Sequence, residues 1–186
     1  MNGHTTASIE ALMLHAFRTE PFHNLRLMYD DELGATVPGG TCSDKTVSFV
    51  DAARQSGVMV KLHSAFIGGE EIHRLARVHL GARVYFADVG NGWPSLRLYP
   101  ADRPTVFRCF GMVFRTEVTP RIVSVYHDNK GRESLQMEIP VNGRPETEIL
   151  EAIKMRFRAG VAYPFANALR FSAIAVSYTH LRAHET

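Results

Sequence analysis

The chain has 186 residues, of which 45% are hydrophobic and 22% are charged, and a formal net charge of +2 at pH 7. It can bury a sizeable core in one or two domains, and its balanced charge excludes the strongly basic surface of a nucleic-acid-binding protein. The two cysteines form neither a disulfide framework nor a metal-ligand pattern, and they indicate a reducing compartment. Because the N-terminus lacks the features of a secretory signal and no run approaches ~20 apolar residues, we expect a cytoplasmic protein.

Three segments have the periodicity of amphipathic helices. Residues 9–17 have apolar side chains at helical spacing and follow Thr6 and Ser8, either of which can cap a helix. Residues 42–55 form a second pattern, which a following glycine ends. A third helix is predicted at residues 146–158.

Short β-strands are predicted between the second and third helices. They cover residues 58–67, 72–80, 83–89, 95–99, 105–117, 121–127 and 134–138. Gly81 and Ala82 form the turn of one hairpin, and residues 128–131 form the turn of another. Strands that follow helices in this way indicate an α+β fold in which an antiparallel β-barrel packs on a helical layer.

The predicted hairpin places a histidine beside an aspartate. If Leu80 and Arg83 flank a two-residue turn, Leu75 lies opposite Asp88, and His73 is the diagonal neighbour of Asp88 on the same face. Such diagonal neighbours are roughly 7–8 Å apart at the backbone, which an imidazole and a carboxylate can bridge. We therefore expect Asp88 to orient His73.

Cys42 begins the second predicted helix. Unpaired N–H groups and the helix dipole at that end favour a thiolate, and a protonated histidine nearby favours it further. Taken singly, these residues are better explained as a small buried cysteine, a strand histidine and a turn acid than as catalytic groups. Together with the hairpin geometry, Cys42, His73 and Asp88 predict an activated nucleophile, a base and an orienting carboxylate. His63, on the neighbouring strand, is the alternative base.

Other chemistry-bearing residues have simpler interpretations. Cys109 lies inside a strand pattern and is interpreted as structural. Asp44 and Lys45 are interpreted as residues that cap and solubilise the start of the second helix. Trp93 and Tyr99 are candidates for a substrate pocket, although large aromatic residues near a barrel are more often core residues.

Several motifs resemble, in order, those of the arylamine N-acetyltransferase family. Members typically have Pro-Phe-Glu-Asn-Leu, then Gly-Gly-aromatic-Cys, then Thr-His or Ile-His, and then Asp-Val-Gly-Phe-Gly or Asp-Ala-Gly-Phe-Gly. The corresponding segments here are Pro21-Phe22-His23-Asn24-Leu25, Gly39-Gly40-Thr41-Cys42, Ile72-His73 and Asp88-Val89-Gly90-Asn91-Gly92. The separation of 15 between His73 and Asp88 is also the one expected in the family. Residues 164–172 resemble a later Pro-Phe-x-Asn-x-Leu segment, so the resemblance covers about residues 8–175.

The resemblance implies a papain- or transglutaminase-like cysteine-enzyme core whose third, α/β domain is mostly missing. The implied division is a helical domain carrying the nucleophile at 1–56, an antiparallel β-barrel domain carrying histidine and aspartate at 57–145, and the start of a truncated α/β domain at 146–175. Residues 176–186 resemble a translated sequencing adapter, and we expect them to be an artefactual tail without structure or function.

The resemblance also implies the chemistry. Acetyl-CoA would be the acyl-donor substrate rather than a permanently bound cofactor, an aromatic amine or a hydrazine would be the acceptor, and neither nucleic acid nor membrane would be a partner. Gly90, Asn91 and Gly92 are candidates for binding the donor, because glycines permit close approach and unpaired N–H groups attract phosphate. A tight turn explains the same glycines equally well.

The chain departs from the family pattern close to the nucleophile. Pro38 stands where the family usually has arginine, Thr41 where it has an aromatic residue, and Asn91 where it has phenylalanine. The stretch between Phe22 and Cys42 is also shorter than usual. These changes bear on donor binding and substrate choice more than on the triad. Two alternatives stay open: a transglutaminase-like enzyme or thiol hydrolase acting on an amide, and a catalytically silent truncated relative.

Overall fold

The structure is a computed structural model that describes residues 3–29, 37–91, 95–155 and 171–172. Along the chain, most of the helices come first and the antiparallel strands follow. The described helices are α1 (Thr6–Thr19), α2 (Leu25–Tyr29), α3 (Cys42–Gln55) and α4 (Glu146–Met155). The described strands are β1 (Phe22–His23), β2 (Met59–Ile67), β3 (Glu70–Leu80), β4 (Arg83–Ala87), β5 (Tyr99–Pro100), β6 (Val106–Cys109), β7 (Met112–Val118), β8 (Ile122–Asn129), β9 (Arg132–Pro140) and β10 (Phe171–Ser172). None of these helices is both long and apolar enough to cross a membrane.

Helix α1 begins with a capping box. Thr5 Oγ1 accepts a hydrogen bond from Ser8 N at 3.2 Å, and Ser8 Oγ accepts one from Thr5 N at 3.0 Å. Thr5 is therefore the cap, and the prediction of Thr6 or Ser8 is wrong, because Thr6 is already helical and Ser8 closes the box from the first turn. As predicted, the helix buries the apolar face that includes Ile9 and Met13.

Eight strands form one antiparallel sheet in the order β5-β4-β3-β2-β9-β8-β7-β6. The sheet curls strongly. Its two end strands, β5 and β6, approach each other, and the ring centroids of Tyr99 on β5 and Phe107 on β6 are only 5.9 Å apart. In the described part of the chain, no ladder joins β5 to β6, so the barrel is a curled half-barrel. The predicted α+β fold, with a helical layer beside an antiparallel curled sheet, is confirmed.

The sheet separates two apolar cores, because successive side chains of a strand point to opposite faces. One core joins α1 and α3 to the outer face of β2–β4, and Val78 and Phe49 are among its fully or almost fully buried members. The other fills the concave side of the sheet around Leu75 and Phe86. Burial of each such side chain contributes about 1.5–3 kcal/mol. Helix α3 is thereby fixed across β2 and β3, which sets the position of its N-terminus.

Two strand predictions need correction. Residues 105–117 form the hairpin β6–β7, because Phe110 and Gly111 take φ values of 51° and 78° and turn the chain. The sequence does not reveal this turn, because the apolar pattern of the strands continues through it. Residues 95–98 precede a strand instead of forming one, and Leu96 has a φ of 50°.

The last predicted hairpin and the last predicted helix are present. Asn129 pairs with Arg132 across a two-residue turn, in which Lys130 and Gly131 have φ values of 57° and 84°. The helix predicted at 146–158 is described as α4, and its remaining residues lie outside the described part. Most of the predicted third domain, and the whole adapter-like tail, also lie outside it, so the domain boundaries stay a prediction.

Candidate active site

The N-terminus of α3 is fixed by an aspartate inside its first turn. Asp44 Oδ2 accepts hydrogen bonds from Thr41 N at 2.8 Å and from Thr41 Oγ1 at 2.7 Å. Arg26 Nη1 lies 3.5 Å from the other oxygen of the same carboxylate. The predicted capping role of Asp44 is therefore confirmed, and Cys42 is the first residue of the helix.

The loop before Cys42 is held by the segment that resembles Pro-Phe-Glu-Asn-Leu. Gly40 N donates to Pro21 O at 3.1 Å, and His23 N donates to Gly40 O at 3.0 Å. The buried ring of His23 accepts at Nδ1 from Leu25 N at 3.3 Å, so its Nε2 carries the hydrogen that is donated to Pro38 O at 3.0 Å. This segment therefore fixes the path of the chain into Cys42.

The hairpin β3–β4 has the predicted register. Pairing runs from Leu80 with Arg83 to Ala76 with Ala87. Just beyond the last pair, His73 Nε2 lies 2.9 Å from Asp88 Oδ1. Both side chains are buried, with 4% of His73 and 0% of Asp88 exposed. The expected contact between His73 and Asp88 is present, and it leaves Nδ1 of the imidazole for another partner.

Asp88 also holds the turn that follows it. Its Oδ1 accepts hydrogen bonds from Gly90 N at 3.2 Å and from Asn91 N at 3.1 Å. The prediction that these residues bind coenzyme A rested on unpaired N–H groups, and that reason is wrong for Gly90 and Asn91, whose N–H groups bind Asp88. Gly92 lies outside the described residues. A donor-binding role of all three stays a prediction.

Cys42 lies where the N-terminus of α3, the first residues of β3 and this turn meet. Its Sγ is 3.8 Å from Ile72 O and within hydrogen-bonding reach of the His73 imidazole and the Arg74 backbone N–H. A Cβ added to Gly90 would lie 2.7 Å from both Cα and Cβ of Cys42, so only glycine fits against this cysteine. The structure thus brings Cys42, His73 and Asp88 together.

The charges at this junction favour an ion pair between thiolate and imidazolium. Burial by itself would raise the pKa of Cys42, but the hydrogen bond and charge of His73, with the N–H and charge of Arg74, lower it below the usual 9.0. Burial would likewise lower the pKa of His73, but the charge and hydrogen bond of Asp88, together with Cys42, raise it to about 10. A thiolate held in this way is an activated nucleophile.

His63, the alternative base, has other contacts in the structure. His63 Nε2 lies 2.7 Å from Pro140 O, and the centroid of its ring is 5.1 Å from that of Phe86, with the two rings tilted by 35°. A Cβ on Gly143 would lie 2.3 Å from the same ring, so the segment after β9 closes over it. Burial lowers the pKa of His63. These contacts favour His73 over His63 as the base.

The remaining candidates lie in different surroundings. Cys109 is partly buried at the end of β6, where burial raises its pKa to about 11. Tyr99 is 1% exposed and belongs to the concave core, while Trp93 lies outside the described residues. The prediction that Lys45 solubilises the helix start is wrong, because only 2% of this residue is exposed. The sequence carried no signal for this burial, because helical spacing places Lys45 on the same face as Cys42 but does not show which face is buried.

Comparison with known proteins identifies the fold. No protein-family model and no curated protein sequence matches the chain. Solved structures do match: the Nocardia farcinica arylamine N-acetyltransferase superposes with a TM-score of 0.74 at 20% identity, over 92% of this chain and 69% of that one. The chain has the fold of the arylamine N-acetyltransferases.

Two further structures agree with this assignment. A Bacillus cereus arylamine N-acetyltransferase, described as having a Cys-His-Glu catalytic triad, matches with a TM-score of 0.69 at 17% identity, over 92% of this chain and 76% of that one. The Mycobacterium marinum enzyme in complex with CoA matches with a TM-score of 0.71 at 13% identity, over 89% of this chain and 69% of that one. At these identities the likeness establishes the fold, which is that of N-acetyltransferase enzymes.

Proposed function

We propose that the protein is an acyltransferase that moves an acetyl group from acetyl-CoA to an arylamine, a hydroxyarylamine or a hydrazine through an acyl-cysteine on Cys42. The observation that carries the proposal is the buried contact of Cys42 with His73 and of His73 with Asp88, in a fold whose solved examples are arylamine N-acetyltransferases. Among those examples, one is a complex with CoA, which supports acetyl-CoA as the donor.

The first half-reaction forms the acyl-enzyme. The Cys42 thiolate attacks the thioester carbonyl, and the carbon–sulfur bond to coenzyme A breaks. The imidazolium of His73 gives its proton to the departing thiolate of coenzyme A, so free coenzyme A leaves as a thiol. Asp88 keeps the imidazole in the orientation that presents Nδ1 to the sulfur, because it holds Nε2 at 2.9 Å.

The second half-reaction transfers the acyl group to the amine. The amine nitrogen attacks the Cys42 thioester while neutral His73 accepts the proton that the nitrogen loses. The carbon–sulfur bond to Cys42 breaks, and the thiolate is again paired with imidazolium, which Asp88 stabilises. A backbone N–H at the start of α3 is suited to stabilise the oxyanion in both half-reactions. The cycle consumes neither water nor a resident cofactor.

The test separates the first half-reaction from the choice of acceptor. The intact mass of the protein is measured after incubation with acetyl-CoA and no amine, beside Cys42→Ala and, as the matched control, Cys109→Ser. We expect one acetyl adduct on the wild type and on Cys109→Ser, and none on Cys42→Ala. Release of the adduct by an added arylamine or hydrazine would complete the cycle.

Other results would contradict the proposal. A folded protein that acquires no adduct is not an acetyl-CoA-dependent transferase. An adduct that acetyl-CoA gives but that water removes as fast as any amine would favour a thiol hydrolase. An acyl-enzyme formed from an amide substrate and not from acetyl-CoA would favour the transglutaminase-like alternative.

A further inference from the structure

Lys45 is a buried charged residue next to the nucleophile that the proposed mechanism does not use. It lies one helical turn after Cys42 in α3, and only 2% of it is exposed, although lysine is rarely buried without a compensating charge. A cation held this close to a cysteine nucleophile affects the charge state of that nucleophile.

Two carboxylates act on the Lys45 ammonium. Glu20, just after α1, and Asp88, just after β4, both interact favourably with its charge. Burial lowers the pKa of Lys45, and these two carboxylates oppose that effect. Lys45 therefore connects the carboxylate of the triad with a carboxylate outside it.

Asp88 needs such a counter-charge. Its Oδ1 accepts from His73, Gly90 and Asn91, whereas its buried Oδ2 has no hydrogen-bond partner among the described residues. A carboxylate with one unsatisfied oxygen in a buried site is costly unless a positive charge lies nearby. The thiolate, imidazolium and carboxylate together carry one net negative charge, which the positive charge of a lysine ammonium opposes.

We propose that Lys45 is a positioning residue whose ammonium supplies the buried counter-charge of Asp88, and that this charge supports the ion pair of the His73 imidazolium with the Cys42 thiolate. Lys45 acts through Asp88 and does not touch the reacting atoms. The inference rests on the proposed role of Cys42 as nucleophile, but not on the identity of the acyl donor or acceptor.

Other charged groups around the site set the size of the effect. Arg74, on β3, acts on Cys42 directly and lowers its pKa without Lys45. Glu20 also interacts with the charge of Lys45, and it accepts a hydrogen bond from Ser48 Oγ. Tyr99, on β5, is also close enough to Asp88 for the two to interact. Removal of Lys45 therefore weakens the thiolate without abolishing it.

The experiment measures the pH dependence of Cys42 alkylation by iodoacetamide, with the modified residue identified by peptide mass. We expect Lys45→Met to move the Cys42 inflection upward by about 0.5–1 pH unit, because a favourable positive charge is lost. Lys45→Arg, which keeps the charge, should stay close to the wild type. Lys61→Met is the matched control, since Lys61 is exposed on β2 and should leave the inflection unchanged.

A second variant decides the matter if Lys45→Met does not fold. Lys45→Gln, a second substitution that removes the charge with a polar side chain, should likewise move the Cys42 inflection upward. An unchanged inflection in a folded Lys45→Met or Lys45→Gln, or an equal upward shift in Lys45→Arg, would each overturn the proposal. Alkylation needs no acyl-CoA, so a protein that shows the Lys45 effect but forms no acetyl adduct would contradict the proposed function alone.

Discussion

Cys42 and Cys109 have the same side chain but lie in regions that act on it in opposite ways. Cys42 lies at the N-terminus of α3, against the first residues of β3, where the imidazole of His73 and the N–H of Arg74 lower its pKa. Cys109 is the last residue of β6, in the half of the sheet that is formed by β6–β9 and is called the outer half below. There, burial raises the pKa of Cys109 to about 11, and the charge of Arg97 only partly opposes this. Burial acts on both thiols, so the difference comes from the partners that each fold region provides.

The same contrast separates the charged groups of the two regions. Beside Cys42, the ion pair of His73 and Asp88 is buried, and its nitrogen and oxygen are 2.9 Å apart. In the outer half, Arg115 binds Glu133 with two hydrogen bonds of 2.8 Å and also binds Glu117, but this cluster is exposed. Water screens the exposed cluster and not the buried pair. Charged groups are therefore buried beside a cysteine in one region and exposed at the surface in the other.

We expect the largest effect from a substitution of His73, the partner that distinguishes Cys42 from Cys109. In the wild type, the Cys42 thiolate should be lost only as the pH falls below its lowered pKa, and the proton of His73 only as the pH rises through about 10, so the ion pair spans the interval between them. In His73→Gln, burial dominates, and we expect the Cys42 alkylation inflection to rise above 9.0. The thiolate population at neutral pH should fall by roughly a hundredfold.

The inflection of Cys109 in the same His73→Gln sample serves as the internal reference and should stay near 11. Inflections are compared instead of absolute rates, because the two cysteines differ in exposure. A Cys42 inflection that is the same in His73→Gln and in the wild type would show that the two regions do not differ in the proposed way.

An intermediate effect is expected where the turn after Asp88 packs on Cys42. In Gly90→Ala the new Cβ would lie 2.7 Å from Cys42 Cα and 2.9 Å from its carbonyl oxygen, and backbone atoms cannot easily give way. We expect a loss of about 1–3 kcal/mol in the free energy of unfolding and a slower alkylation of Cys42. Chemical denaturation and alkylation of the same sample measure the two effects.

Gly3→Ala is the control for this substitution, because a Cβ at Gly3 meets nothing within 4 Å. If Gly90→Ala were as stable and as reactive as Gly3→Ala, the close packing of the turn on Cys42 would not be needed for the site.

The smallest effect is expected in the outer half of the sheet. Glu133→Gln removes the charge that binds Arg115, but exposed ion pairs contribute little to stability. We expect the denaturation midpoint and the Cys42 inflection of this variant to match those of the wild type. A shifted Cys42 inflection would mean that the two regions are electrostatically coupled, which would weaken the comparison drawn above.

Features decided by local chemistry could be predicted from the sequence. The register of β3 and β4 follows from a two-residue turn and the alternation of strand side chains, so the contact between His73 and Asp88 could be predicted. The start of α3 at Cys42 and its end before Gly57 follow from capping residues and a glycine with a φ of 81°. The resemblance of the motifs to arylamine N-acetyltransferases predicted the fold that the solved structures share.

The tertiary structure alone decided which groups are buried and which partners they meet. Lys45 looked like a solvent-exposed residue of a helix start, and only the packing of α3 on the sheet shows that it is buried near Asp88. The N–H groups of Gly90 and Asn91 looked free to bind phosphate, but they bind the carboxylate of Asp88. The sequence by itself therefore predicted most of the helices and strands and the contact of His73 with Asp88, because turns, caps and periodicity are local. The charge balance of that site depends on contacts between distant segments, and only the folded chain sets it.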